Sequence, residues 1–181
     1  NQLSLDNENL KIINYKKNIY SFKDPELRTY IICNDLLKCA SGEFIFYTSY
    51  DDPLALDYVE RMVRLFKNNP NCSSAAGRPV SIDINDKVNL KELNSRASNY
   101  RDTYMSGKVL ALETLKGKTK LFASPGTIFT FKTEDLIKAG GYHRAVEWSQ
   151  LYGIVPFGET GFDDNAIYYW RRHADQMNLK I

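Results

Sequence analysis

Strand-like and helix-like segments alternate along the 181 residues, which predicts an α/β layer fold. Three observations carry that expectation. An apolar and aromatic run of strand length covers 44–48, a stretch with helical periodicity follows at 58–66, and a second apolar run at 128–131 follows a turn signal.

Taken in order, the short apolar run at 10–15 predicts a strand, closed by the turn cluster Lys16, Lys17 and Asn18. Ile32, Leu36, Leu37 and Ala40 have helical spacing over 31–40, and Gly42 is suited to end that helix. The run 44–48 has no polar alternation, which fits a parallel strand buried on both faces. Asp51, Asp52 and Pro53 then lead into a helix carrying Tyr58, Val59, Met62, Val63 and Phe66, with Asn68, Asn69 and Pro70 as its stop. Residues 72–84 predict a strand interrupted near Gly77 and Pro79. Leu93, Ala97, Tyr100 and Tyr104 form one stripe over 90–115, which predicts a long helix. Beyond the strand at 128–131, Thr133 is expected to cap a short helix ending at Gly140 and Gly141. Residues 142–161 show no sustained period and predict a mobile loop, and Asp163 and Asp164 are expected to open a last helix through Trp170, Arg171 and Arg172.

Lys and Arg number 24 against 22 Asp and Glu, a near balance that excludes a strongly cationic nucleic-acid binder. The 43% apolar content excludes a disordered chain, and no stretch reaches the ~20 apolar residues of a membrane span. The three cysteines are odd in number and lack C-x-x-C spacing, which points to a reducing, cytoplasmic setting. P-loop, dinucleotide and hydrolase glycine signatures are absent from the sequence.

Two acidic pairs stand out. Asp51 and Asp52, after Ser49 at the carboxyl end of a strand, are placed either to hold a divalent cation or to cap the following helix. Asp163 and Asp164 are placed either to act as a general base or, again, as a helix cap. The turn Ser124, Pro125, Gly126, Thr127 suits the lining of an acceptor pocket or is a plain turn, and the aromatics Trp148, Tyr152, Phe157 and Phe162 are placed either to stack on a sugar ring or to form a satellite apolar cluster. His143 and His173 have no metal-ligand spacing and receive no role.

These blocks together resemble the family 2 glycosyltransferases, which have the GT-A fold. Residues 34–70 (NDLLKCASGEFIFYTSYDDPLALDYVERMVRLFKNNP) are similar to the family's helix, G-E-Y/F-I strand, D-x-D-D turn and following helix. The run SPGTIFTFKTEDLIKAGGY resembles its acceptor-side strand, helix and G-G-Y/F signature, and Asp163 with Asp164 resembles its E-D pair. Ser49 stands where the first D-x-D carboxylate is usual, and Cys33 where an Arg often precedes the Asn. The family's opening nucleotide-binding strand has no match before Leu10, so the resemblance implies one GT-A-like domain over 1–181 that is incomplete at its N-terminus.

The fold so implied is a mixed, mainly parallel sheet flanked by helices. The activity implied is inverting transfer of a hexose from a nucleotide-sugar donor, UDP being the commonest, to a hydroxyl of a glycan or glycoconjugate. It would depend on Mg²⁺ or Mn²⁺ held by Asp51 and Asp52. Ser49, Asp51 and Asp52 would contact the donor, Pro125, Gly126 and Trp148 the acceptor, and Asp164 or Asp163 would be the base. Such a chain serves polysaccharide biosynthesis in the cytoplasm, with membrane association through a longer parent. The alternative is a non-catalytic interaction module that retains the scaffold.

Overall fold

A computed structural model describes residues 12–16, 25–95, 101–116, 129–143 and 157–173. The elements are α1 (Pro25–Cys39), β1 (Phe44–Phe46), α2 (Tyr58–Asn68), β2 (Cys72–Ile82), α3 (Leu90–Ser95), β3 (Arg101–Ser106), α4 (Gly107–Leu115), β4 (Phe129–Lys132), α5 (Thr133–Lys138) and β5 (Glu159–Arg171). The sheet order is β1-β4-β2-β5-β3.

The sheet is mixed, as expected, with helices flanking it. β4 is antiparallel to both β1 and β2, β5 is parallel to β2, and β3 is antiparallel to β5. β1, β2 and β5 therefore share one direction. Hydrogen-bonded parallel neighbours are nevertheless confined to β2 and β5, which corrects the expectation of mainly parallel pairing and of a parallel strand at 44–48. The reason is topological: β4 inserts between β1 and β2, and β3 lies along the other side of β5.

The core lies where α2 packs on β2 and β5. Tyr58, Met62, Leu65 and Phe66 recur at helical spacing and are buried. They meet Ala75 and Ala76 of β2, whose small side chains let the helix approach, together with Phe131, Phe162 and Tyr168. Burying each large apolar side chain is worth ~1.5–3 kcal/mol, so this face is the main local reason for a helix here.

Several expected elements differ. Residues 12–15 form no strand; the Tyr15 hydroxyl instead donates to Asp35 of α1 at 2.7 Å. The helix after the acidic turn begins at Tyr58 rather than Pro53, because residues 53–55 are drawn out along β5. There the Ala55 N–H donates to the Ile167 carbonyl, the Tyr169 N–H donates to the Pro53 carbonyl, and Leu54 bridges Tyr168. The expected long helix over 90–115 is divided into α3, β3 and α4. Tyr104, read there as part of a helical stripe, pairs with Gly161 of β5 and donates its hydroxyl to the Leu65 carbonyl at 2.8 Å. Thr133 is the first residue of α5 rather than its cap, and Lys132 occupies the N-cap position. α5 does end at the glycines: Gly140 (φ 91°) and Gly141 donate back to the carbonyls of Ile137 and Leu136, a Schellman arrangement.

The last expected helix is the strand β5. From Asp164 to Tyr168 buried positions alternate with more exposed Asn165 and Ile167, the period of a strand, and Ile167, Tyr168, Tyr169 and Trp170 are good strand formers. A parallel neighbour in β2 supplies hydrogen bonds that an isolated segment lacks. The expected loop over 142–161 overlaps this strand at 159–161, and its residues 144–156 lie outside the described residues.

Candidate active site

β5 brings the two acidic pairs to one strand. The first pair sits in the turn after β1. The Asp52 N–H donates to the Ser49 carbonyl, closing the turn at 3.4 Å, and Tyr50 at its tip is fully exposed. Neither Asp51 nor Asp52 caps a helix. Asp52 accepts the Tyr168 hydroxyl at 2.7 Å on one carboxylate oxygen and the Arg171 backbone N–H at 2.8 Å on the other. Asp51 accepts Arg171 Nε on its carbonyl at 2.9 Å, and its Oδ2 lies 3.5 Å from Nε2 of His173. Arg171 also reaches the Asp83 carbonyl and the Asp86 carboxylate, which ties the turn to the segment after β2.

The second pair sits in a bulge. Ala76 pairs with Phe162 and Arg78 with Ile167, so Asp163–Ala166 is looped out of register opposite Gly77. Bulges of this kind re-aim side chains and are common beside active sites. Gly77 is required by packing, since a Cβ there would meet the Ala166 carbonyl at 2.5 Å and the Tyr58 ring at 2.6 Å. Asp163 is 1% exposed and does not cap a helix. Its Oδ2 accepts Arg61 Nη1 at 3.2 Å and Arg64 Nη2 at 2.9 Å, and its Oδ1 accepts the Asn165 N–H at 2.8 Å. Asp164 beside it is also buried. Arg61 further pairs with Asp57, which holds that carboxyl below the usual aspartate range.

The Asn34 side chain locks α1 to the segment after α5. Its amide donates to the Tyr142 carbonyl at 2.8 Å and accepts the Tyr142 N–H at 3.0 Å. Gly141 leaves room for this amide, because a Cβ there would lie 2.4 Å from its oxygen. Cys33 beside it is buried, and burial pushes its thiol up to about 11. Pro125, Gly126 and Trp148 lie outside the described residues.

A divalent cation was expected on Asp51 and Asp52. Among the described residues no group of three or more His, Cys, Asp or Glu side chains is arranged to hold a metal. With both Asp52 oxygens accepting hydrogen bonds, the side chains that meet at the turn are Asp51 and His173. One carboxylate and one imidazole suit an ion that takes its remaining ligands from a bound phosphate and water, rather than a cage made wholly by protein. Sequence reasoning missed His173, together with Tyr168, Arg171, Arg61 and Arg64. Reading 166–173 with a period of two would have put Arg171 and His173 on one side of a strand.

No family model and no curated protein sequence matches this chain. Its backbone resembles that of S. aureus TarS. The complex of TarS 1-349 with UDP-GlcNAc superposes with a TM-score of 0.55 at 10% identity, over 79% of this chain and 38% of the TarS chain. The fold is glycosyltransferase-like. The complex with UDP gives a TM-score of 0.50 at 10% identity, over 77% and 38% of the two chains. A third TarS structure gives 0.50 at 11% identity, over 76% and 38%. The chain thus spans well under half the length of the TarS chain it matches. No helix among the described residues is long and apolar enough to cross a membrane.

Proposed function

We propose that this chain transfers a hexose from a UDP-sugar to a hydroxyl of a glycan or glycoconjugate acceptor, with inversion, in the building of a polysaccharide. The observation that carries this reading is that the acidic turn is tied to β5 while the second acidic pair lies in a bulge of the same strand, in a fold resembling that of TarS, whose structure contains UDP-GlcNAc. Asp52 is engaged by Tyr168 and Arg171, and Asp163 by the two arginines. Asp51, beside His173, is assigned to the donor side, and Asp164, by its place in the pair that resembles the E-D motif, to the acceptor side.

Asp51 and His173 would hold Mg²⁺ or Mn²⁺, whose chemistry there is to neutralise charge on the departing diphosphate. Ser49 contributes to the donor side of the turn, and Asp52, expected as a second ligand, holds the turn on β5. Asp164 takes the proton of the acceptor hydroxyl as its oxygen bonds to the anomeric carbon and the bond to the diphosphate oxygen breaks. A single displacement of this kind inverts the anomeric centre. Pro125, Gly126 and Trp148 are assigned to the acceptor.

The test is a thermal-shift series with UDP, GDP, CMP and dTDP, each with and without Mn²⁺. A ligand that binds the folded state raises the melting temperature, by about 2.7 kcal/mol of stability at a hundred times its Kd. UDP with Mn²⁺ is expected to give the shift, Asp51→Ala to abolish it and His173→Ala to weaken it. A cooperative melt that no nucleotide moves would replace this reading with that of a non-catalytic scaffold.

A further inference from the structure

The ion-pair network on α2 has no part in the chemistry above, yet it is built around the bulge that carries Asp164. Asp163 is an acid side chain withdrawn almost wholly from water, and an uncompensated charge there would be costly. Arg61 and Arg64, one helical turn apart on the same face of α2, both reach its Oδ2. Arg61 is itself oriented by Asp57, at the N-cap position of α2, through Nε. The remaining oxygen of Asp163 receives the Asn165 N–H and so fixes the backbone on the far side of Asp164. Asp164 therefore lies between two residues anchored by one carboxylate, and that carboxylate is anchored by α2.

We infer that Arg61 and Arg64 are positioning residues: they hold Asp163 as a buried anion, Asp163 holds the 163–166 bulge, and the bulge presents Asp164 as the proton acceptor.

The catalytic half of this inference rests on the transferase reading, and the positioning half does not. The test accordingly pairs amide hydrogen exchange of the segment 163–166 with UDP release from UDP-GlcNAc, water serving as the acceptor. In Arg61→Gln/Arg64→Gln, exchange in the bulge is expected to quicken about tenfold or more, as befits loss of local stability of about 1.4 kcal/mol. kcat should fall while KM for the donor stays within about twofold, since the donor side of the turn is untouched. Adding Asp163→Asn to that double variant removes the stranded anion and should restore protection and turnover together. Asp164→Asn should lower kcat by about a hundredfold or more with bulge protection unchanged.

Should the double variant be too unstable, Arg64→Gln alone, at the half-exposed rim of the network, reads the same two quantities. Unchanged exchange in the arginine variants overturns the positioning role, whatever the activity. Loss of turnover in Asp163→Asn with the bulge still protected makes Asp163 the base and overturns the assignment. If the unmodified chain neither binds UDP nor releases it from UDP-GlcNAc, the transferase reading and the base assignment fall, and hydrogen exchange still decides whether the arginines hold the bulge.

Discussion

The turn after β1 and the bulge in β5 each present two adjacent aspartates, and the protein treats the two pairs by different means. At the turn, Asp52 is held by neutral donors, a tyrosine hydroxyl and a backbone N–H, and the pair stays partly open to solvent. At the bulge, Asp163 is sealed from water and held by two cations. In each, one carboxylate accepts hydrogen bonds on both of its oxygens. The difference shows that burial sets the strength of the holder: a carboxylate near water is restrained by ordinary hydrogen bonds, whereas one without water requires compensating charge.

That contrast orders the expected effects of substitution. The largest belongs to the bulge, where Arg61→Gln/Arg64→Gln strands a buried carboxylate and should cost about 3–5 kcal/mol in urea unfolding. A loss below about 1 kcal/mol would mean that Asp163 is not held as a buried anion. Gly77→Ala tests the room the bulge needs. Its methyl group meets backbone and ring atoms that cannot both withdraw, so a loss of about 1–3 kcal/mol is expected, with faster exchange at Ala166. At the turn, Tyr168→Phe removes one hydrogen bond to Asp52 and keeps the ring, for about 1.5 kcal/mol. If it costs as much as the arginine substitutions, the two pairs are held equally tightly and the contrast fails.

The smallest effect is a pH dependence outside both pairs. Arg61 lowers the carboxyl of Asp57, Lys38 and Tyr15 that of Asp35, and the backbone N–H groups of Lys87 and Asn85 that of Asp83. For each, the unfolded chain binds its proton more readily than the folded one. Their contribution to stability is therefore complete above the unfolded value, near pH 4, and is lost as pH falls through the lower folded value. The melting temperature should be level above about pH 5 and fall below about pH 4, and Asp57→Asn should make that fall slightly shallower.

The parts of the fold legible in the sequence are those whose cause lies within a few neighbouring residues. The apolar spacing of α2 and the glycine stop of α5 appear where local pattern places them, whereas β2 runs unbroken past Gly77 and Pro79 and the irregularity falls in β5. The segments misread were those claimed by a distant partner. Residues 53–55 looked like a first helical turn until β5 took their hydrogen bonds, and 101–106 looked helical until β5 paired with them. Asp163 and Asp164 were legible as candidates for chemistry, yet the choice between base and helix cap was not, because neither alternative included a strand bulge.

By itself, then, the sequence determined an α/β chain, the positions of the two acidic pairs, and the turn and helix signals around them. Only the tertiary structure decided what holds Asp52 and Asp163, and that His173 stands beside Asp51. The physical reason is range. Periodicity and capping act over one or two turns of chain, whereas Tyr168 lies 116 residues from Asp52 and Arg61 lies 102 from Asp163, so only the topology of the sheet brings them together.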